Sequence, residues 1–306
     1  MGFPSSGSDW ANGTLAVAQE KGYLDEYLEP LGYKAVLTPF TGAAPAIHEA
    51  LVSEELDYAY YAGFAGVAAK SNGIDTKLLA VTSFGSTWQL AVSKDSGIDS
   101  LKDLKGKKIA YQRGATPQMY ILKVLEEAGL DEEDVELVNS TIPEGISSLS
   151  TGAIDAAVIS YGQVEELVQA GKASIIHIGV EGDEDTFYEP MVLTGRTEFV
   201  EENEDVTVAI IKAMLKGKEE IKKDPDAFYE LTSEKSGLPL NQVTGVAIDD
   251  IDLAYPVNLE EQYLNSLKDI EQFEVDNEII SSNIDFDDWV DSSYLDQAVK
   301  EYKDGK

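Results

Sequence analysis

Six short segments of this chain share a composition suited to one kind of chemistry: "SSGSDW" (5–10), "TGAA" (41–44), "YAGF" (61–64), "SFGST" (83–87), "RGATP" (113–117) and "SYGQ" (160–163). Each follows a short apolar run. Glycine lets a backbone approach a ligand closely, and hydroxyl side chains and loop N–H groups donate hydrogen bonds, so loops of this kind suit an oxyanion that is held and not attacked. Ser5, Ser8 and Asp9 are candidates for ligand contact or for capping the first helix. Trp10, Tyr61, Phe64, Trp88 and Tyr161 stand in or beside polar, glycine-containing loops, where two or three of the five are expected to wall a pocket. Arg113 is one of only two arginines against 57 carboxylates, and its planar fork matches an oxyanion. Ala62, Gly63, Ser86, Gly114 and Ser160 complete the loop candidates. Asp57 and Asp155 read as turn or strand-end residues.

The groups that reactions need are missing. Without cysteine there is no thiolate nucleophile, disulfide, iron–sulfur cluster or Cys-type zinc site. No G-x-S-x-G, H-E-x-x-H, P-loop or G-x-G-x-x-G occurs. The two histidines, in "PAIHEAL" and "SIIHIG", read as structural, and the acidic clusters "EGDED" and "IDDID" lack the spacing of a calcium loop. No catalytic residue, metal or cofactor is expected.

What must position these loops is an alternation of strands and helices. Runs such as "KKIAYQ", "AAVIS" and "SIIHIG" alternate with helical periods such as "MYILKVLEEAG", which calls for parallel sheets covered by helices. The phrase is also repeated. "LVSEELDYAYYAG" (51–63) and "LSTGAIDAAVISYG" (149–162) match at an offset of 98, as do Pro45 and Pro143. At an offset of 107, Gly7 meets Gly114, Leu15 meets Leu122 and Gly22 meets Gly129. Two extended runs, 88–96 and 189–196, enclose one domain's worth of chain. The expected lobes are therefore 1–90 with 192–306, and an inserted 91–191.

Composition bounds the partners. The charge, 23 minus 57 or −34, argues against nucleic acid and anionic membrane surfaces. No run of about 18 apolar residues exists to span a bilayer. "MGFPSSGSDW" carries no signal-like segment, so the chain is either cytoplasmic or the mature form of a protein whose leader was removed.

Three segments carry a resemblance to a known family. "SLKDLKGKKIAYQRGATPQ", "FTGAAPAIHEALVSEELDYAYYAG" and "DFDDWVDSSYLDQAV" resemble the extracytoplasmic solute-binding proteins of ABC importers, in the nitrate/sulfonate/taurine branch. The resemblance implies an α/β, two-lobe fold of the type II periplasmic-binding-protein kind, each lobe a sheet flanked by helices, joined by two crossover strands. It implies two lobes closing around a small anionic or zwitterionic solute, with ligand at the loops of Thr41, Gly42 and Ala43 and of Thr116. At Gly63 sulfonate-binding relatives commonly carry a polar residue, and near Arg113 close relatives often carry lysine. Read this way, the chain is a monomeric, extracytoplasmic subunit, open to lipid anchoring through a removed leader, whose partners are its solute and a membrane permease. The alternatives are an enzyme of the thiamine-pyrimidine or menaquinone pathways on the same fold, and a regulator's effector domain, for which neither end offers a DNA-binding segment.

Overall fold

The apolar runs become strands. The computed structural model describes residues 1–5, 8–41, 43–181 and 187–305. In chain order the strands are β1 (Gly2–Pro4), β2 (Thr38–Phe40), β3 (Tyr58–Ala62), β4 (Thr76–Gly85), β5 (Trp88–Ser93), β6 (Lys108–Tyr111), β7 (Glu136–Asn139), β8 (Ala156–Ser160), β9 (Ala173–Ile178) and β10 (Glu189–Arg196). They form two five-stranded sheets, ordered β2-β1-β3-β10-β4 and β7-β6-β8-β5-β9. The central strands β3 ("YAYYA") and β8 ("AAVIS") are buried at all but their last residue, as strands covered on both faces are.

The chain divides into two units, 1–84 with 189–244 and 248–306, and 85–188 with 245–247. The first division falls ahead of β5, not within it, because β5 is hydrogen-bonded to β8 on one side and β9 on the other. The return falls ahead of β10, which pairs with β3 from Met191 to Gly195.

Strand direction needs a correction. β1–β2, β1–β3, β6–β7 and β6–β8 are parallel, but β10 runs antiparallel to β3, and β5 to both β8 and β9. Each exception is the first strand after the chain changes units, where no crossover helix dictates a parallel return. The sheets are therefore mixed.

In the first unit the helix Glu204–Lys223 packs against the helices Gly13–Glu20, Tyr23–Leu28 and Ser293–Lys303. The "DFDDWVD" segment is structural. Asp285 caps a short helix by accepting the N–H groups of Asp287 and Asp288, and Trp289 is fully buried. In the second unit the helix Thr116–Ala128 covers a core that includes Leu90, Ile109, Ile121 and Val124.

The repeated phrase builds the same corner twice. Leu51 and Leu149 are buried on their helices, and a left-handed residue turns the chain toward β3 or β8: Glu54 at φ 61° in one copy, Gly152 at φ 72° in the other. Both aspartates anchor strand starts. The Asp155 side chain accepts the Lys108 N–H at 2.9 Å, and the Asp57 carbonyl accepts the Arg196 N–H at 2.8 Å.

Candidate functional site

In the first unit the candidate loops leave the carboxyl ends of three adjacent parallel strands, β2, β1 and β3. After β1, Ser5 donates its hydroxyl to the Ser8 carbonyl, and its N–H reaches the Phe40 carbonyl at 3.0 Å. The Ser8 hydroxyl accepts the Trp10 N–H at 3.1 Å and donates to the Lys235 carbonyl at 3.2 Å. Both hydroxyls thus shape the loop. Neither they nor Asp9, which is exposed, cap the first helix. That role falls to Asn12, at φ 62°, whose Oδ1 accepts the Gly13 N–H at 2.8 Å. Trp10 packs partly buried on the core, and its Nε1 has no acceptor among the described residues. Thr41 is exposed just before the helix that Ala43 opens, and Gly42 lies outside the described residues.

At the end of β3 the structure corrects two candidates. Tyr61 is 1% exposed, receives a hydrogen bond from Thr194 Oγ1 at 3.1 Å, and has its hydroxyl pKa pushed up to about 12 by burial. Phe64 is buried against Phe273. Both are core residues rather than pocket walls, because β3 is central and the helix Gly63–Ser71 follows it without a loop. Ala62 caps that helix with no side-chain hydrogen bond. Gly63 is held to glycine by close approach: a Cβ there would lie 2.5 Å from Leu267 Cδ2 and 3.0 Å from the Pro190 carbonyl. A polar side chain at this position has no room.

In the second unit the strand ends of β7, β6 and β8 and the start of antiparallel β5 share one sheet edge. Trp88 pairs directly with Ser160 in the β5–β8 ladder, so these two candidates are neighbours. Trp88 is half-buried on the unit's core, and its N–H donates to the hydroxyl of buried Ser86 at 3.4 Å. The Ser160 carbonyl accepts from Gln89 Nε2 at 3.4 Å, and the N–H of half-buried Tyr161 reaches the Thr87 carbonyl at 2.7 Å.

Arg113 is exposed. Its Nε–H donates to the Tyr111 hydroxyl at 3.2 Å and its backbone N–H to Asn139 Oδ1 at 3.0 Å, with no carboxylate in ion-pair range among the described residues. The other arginine is elsewhere. Arg196 stands near Glu54, Asp57 and Glu198 (3.8, 3.9 and 3.6 Å), at the end of the first sheet opposite the loops. Gly114, exposed at φ 70°, donates its N–H to Gln118 Oε1 at 2.8 Å. Thr116 is 8% exposed and opens the helix Thr116–Ala128, whose cap, Ala115, makes no side-chain hydrogen bond. Of the first-turn positions Pro117 has no N–H and the Gln118 N–H donates to the Ala115 carbonyl at 2.8 Å, so the Thr116 N–H and the positive end of the dipole are what this start offers an anion.

Sequence reasoning missed Asn12, Asn139 and Gln118. The signal was present in "RGATPQ", where an amide side chain stands in the first turn of a proline-opened helix. Both histidines have protein partners: His48 Nε2 meets the Ala65 carbonyl at 3.0 Å, and His177 Nδ1 meets the Tyr120 hydroxyl at 2.6 Å.

The NMT1/THI5-like family profile matches residues 13–228, well over half of the chain and through both units. The chain belongs to this family. A Bacillus subtilis (strain 168) protein, provisionally named an aliphatic sulfonates-binding protein, is 27% identical over 296 residues, covering 95% of this chain and 86% of that one. Among solved structures, the periplasmic sulfonate-binding protein SsuA from Methylobacillus flagellatus KT, a provisional sulfonate ABC transporter component, superposes with a TM-score of 0.82 at 22% identity, covering 95% of this chain and 89% of that one. The desulfurization enzyme DszB, solved as a Cys-to-Ser mutant with biphenyl-2-sulfinic acid, superposes with a TM-score of 0.76 at 17% identity, covering 98% and 99%. These structural likenesses establish the fold, which serves binding proteins and an enzyme alike.

Proposed function

We propose that this chain is the extracytoplasmic substrate-binding subunit of an ABC importer, holding a small anionic or zwitterionic solute of the aliphatic sulfonate or taurine kind for a membrane permease. The observation that carries this reading is a pair of helix starts. In each unit a strand of the parallel set leads to a helix of nine or thirteen residues whose cap is alanine, Ala62 or Ala115, with no capping side chain, although in the second helix Pro117 has no N–H and the Gln118 N–H is donated to the Ala115 carbonyl at 2.8 Å. Such starts favour an acceptor-only group such as a sulfonate. The whole-length relative named for aliphatic sulfonates supports the same choice of solute. Binding without chemistry fits residues that are committed elsewhere: there is no thiol, and both imidazoles are engaged by protein groups. Thermal shift with taurine, ethanesulfonate, nitrate and bicarbonate tests the reading. A bound solute at a hundredfold excess over its dissociation constant adds about 2.7 kcal/mol of stability. Enzyme-like turnover of a stabilising compound contradicts it.

A further inference from the structure

The first unit has a cavity of about 180 Å³ along the flank of the helix Gly13–Glu20. Its wall includes Glu20, the last residue of that helix, and Leu37, which precedes β2, so it runs away from the carboxyl strand ends where the candidate loops stand. Asp9, Trp10, Ala16 and Lys235 also line it. The wall is tied together by the protein itself. Trp10 is packed on the unit's core and its N–H is bonded to the Ser8 hydroxyl, which in turn donates to the Lys235 carbonyl. Two of the three charges cancel, because the Lys235 ammonium lies 2.9 Å from a Glu20 carboxylate oxygen. The Asp9 carboxylate is exposed and has no hydrogen bond or ion pair among the described residues. The cavity therefore presents one uncompensated negative charge, an indole, and the methyl groups of Ala16 and Leu37.

We infer that this cavity binds a small quaternary ammonium compound, whose charge lies against Trp10 and Asp9. An aromatic ring attracts a cation through its quadrupole, and a carboxylate adds Coulomb attraction. Methyl groups on the nitrogen suit the apolar part of the wall. A primary ammonium instead brings three N–H donors, each of which needs an acceptor. An anion is disfavoured, since the one cation in the wall is already taken by Glu20, and Asp9 repels it. The size agrees: a protein cavity of about 150 Å³ holds benzene, and choline, with one more heavy atom than benzene, is comparable. At long range the net charge of −34 draws cations toward the surface. The site does not depend on the sulfonate reading, which concerns the loops at the strand ends.

Two compounds of one shape separate recognition of charge from the filling of space: choline, and neohexyl alcohol, in which carbon replaces the nitrogen. Each is titrated into the labelled protein at constant ionic strength and followed by NMR. Choline is expected to shift the Trp10 ring and Leu37 methyl resonances saturably, with NOEs from its N-methyl protons to both. The alcohol is expected to bind at least about fivefold more weakly, since it keeps the shape and lacks the charge. Asp9→Asn removes the carboxylate charge at an exposed position and is expected to weaken choline binding about two- to fivefold, with the melting temperature nearly unchanged. Equal affinity for the two compounds leaves an apolar cavity without cation recognition and overturns the inference, as does unchanged choline affinity in Asp9→Asn. Choline-induced shifts that never saturate, or that spare Trp10 and Leu37, overturn it as well.

Discussion

Arg113 and Glu274 show how burial decides what a charged side chain does. Arg113 is exposed, with a tyrosine and not a carboxylate as its partner, so its charge is available to a solute. Arg113→Ala is expected to weaken binding of a sulfonate about ten- to a hundredfold, the contribution of one charge-assisted hydrogen bond, while leaving the urea midpoint unchanged. Titration calorimetry with both proteins checks this, and an unchanged dissociation constant returns Arg113 to the surface. Glu274, on the helix Glu261–Asp276, is the opposite case. It is 0% exposed, and neither carboxylate oxygen has a partner among the described residues. Burial, and then repulsion from Glu271, push its pKa up to about 9. The folded state thus holds a proton that the unfolded chain releases near pH 4.5, so this group's contribution is full below about 4.5 and is lost as pH rises through about 9. Glu274→Gln is expected to raise the melting temperature at pH 8 and to change it little at pH 4.5. Equal shifts at both pH values contradict the assignment.

The elements were legible in proportion to how local their causes are. The pair "LVSEELDYAYYAG" and "LSTGAIDAAVISYG" does build the same helix, turn and strand in each unit, because the periodicity and the turn are written in consecutive residues. Strand direction was not legible, since an apolar run such as β5 or β10 reads alike in a parallel or an antiparallel ladder. Nor was the burial of Tyr61 and Phe64, which look like loop aromatics beside Gly63 until β3 is known to pass straight into a helix. The loops themselves were found, but not which of their hydroxyls are free: the Ser5 hydroxyl is taken by the Ser8 carbonyl, and the Ser8 hydroxyl by the Trp10 N–H and by the Lys235 carbonyl, a contact far along the chain that no local pattern encodes. The repeat carries its own prediction. Glu54 occupies the left-handed position that Gly152 fills in the other copy, and its exposed carboxylate lies 3.8 Å from an Arg196 guanidinium nitrogen. Glu54→Gly is expected to stabilise the protein by up to about 1 kcal/mol by relieving that backbone strain, read as a higher urea midpoint at constant m. A lower midpoint means that the ion pair with Arg196 outweighs the strain.

For the whole molecule the governing quantity is the net charge of −34 spread over a two-unit fold. At that charge the folded state repels itself, and a solute anion is attracted only where local donors outweigh the distant carboxylates. Salt separates the two effects. Raising NaCl from about 0.05 M to about 1 M shortens the screening length to roughly 3 Å, so the melting temperature is expected to rise as self-repulsion fades. A fall on adding salt would mean that its ion pairs, such as Lys70–Asp288 at 2.7 Å, stabilise more than the repulsion costs. The central claim, that this chain binds a sulfonate-type anion and does not transform it, is tested most directly by one isothermal titration of the purified protein with taurine and ethanesulfonate. The account predicts saturable heats that fit one site and return to baseline after each injection. Absence of binding by both compounds, or a heat signal that persists between injections as turnover would produce, contradicts it.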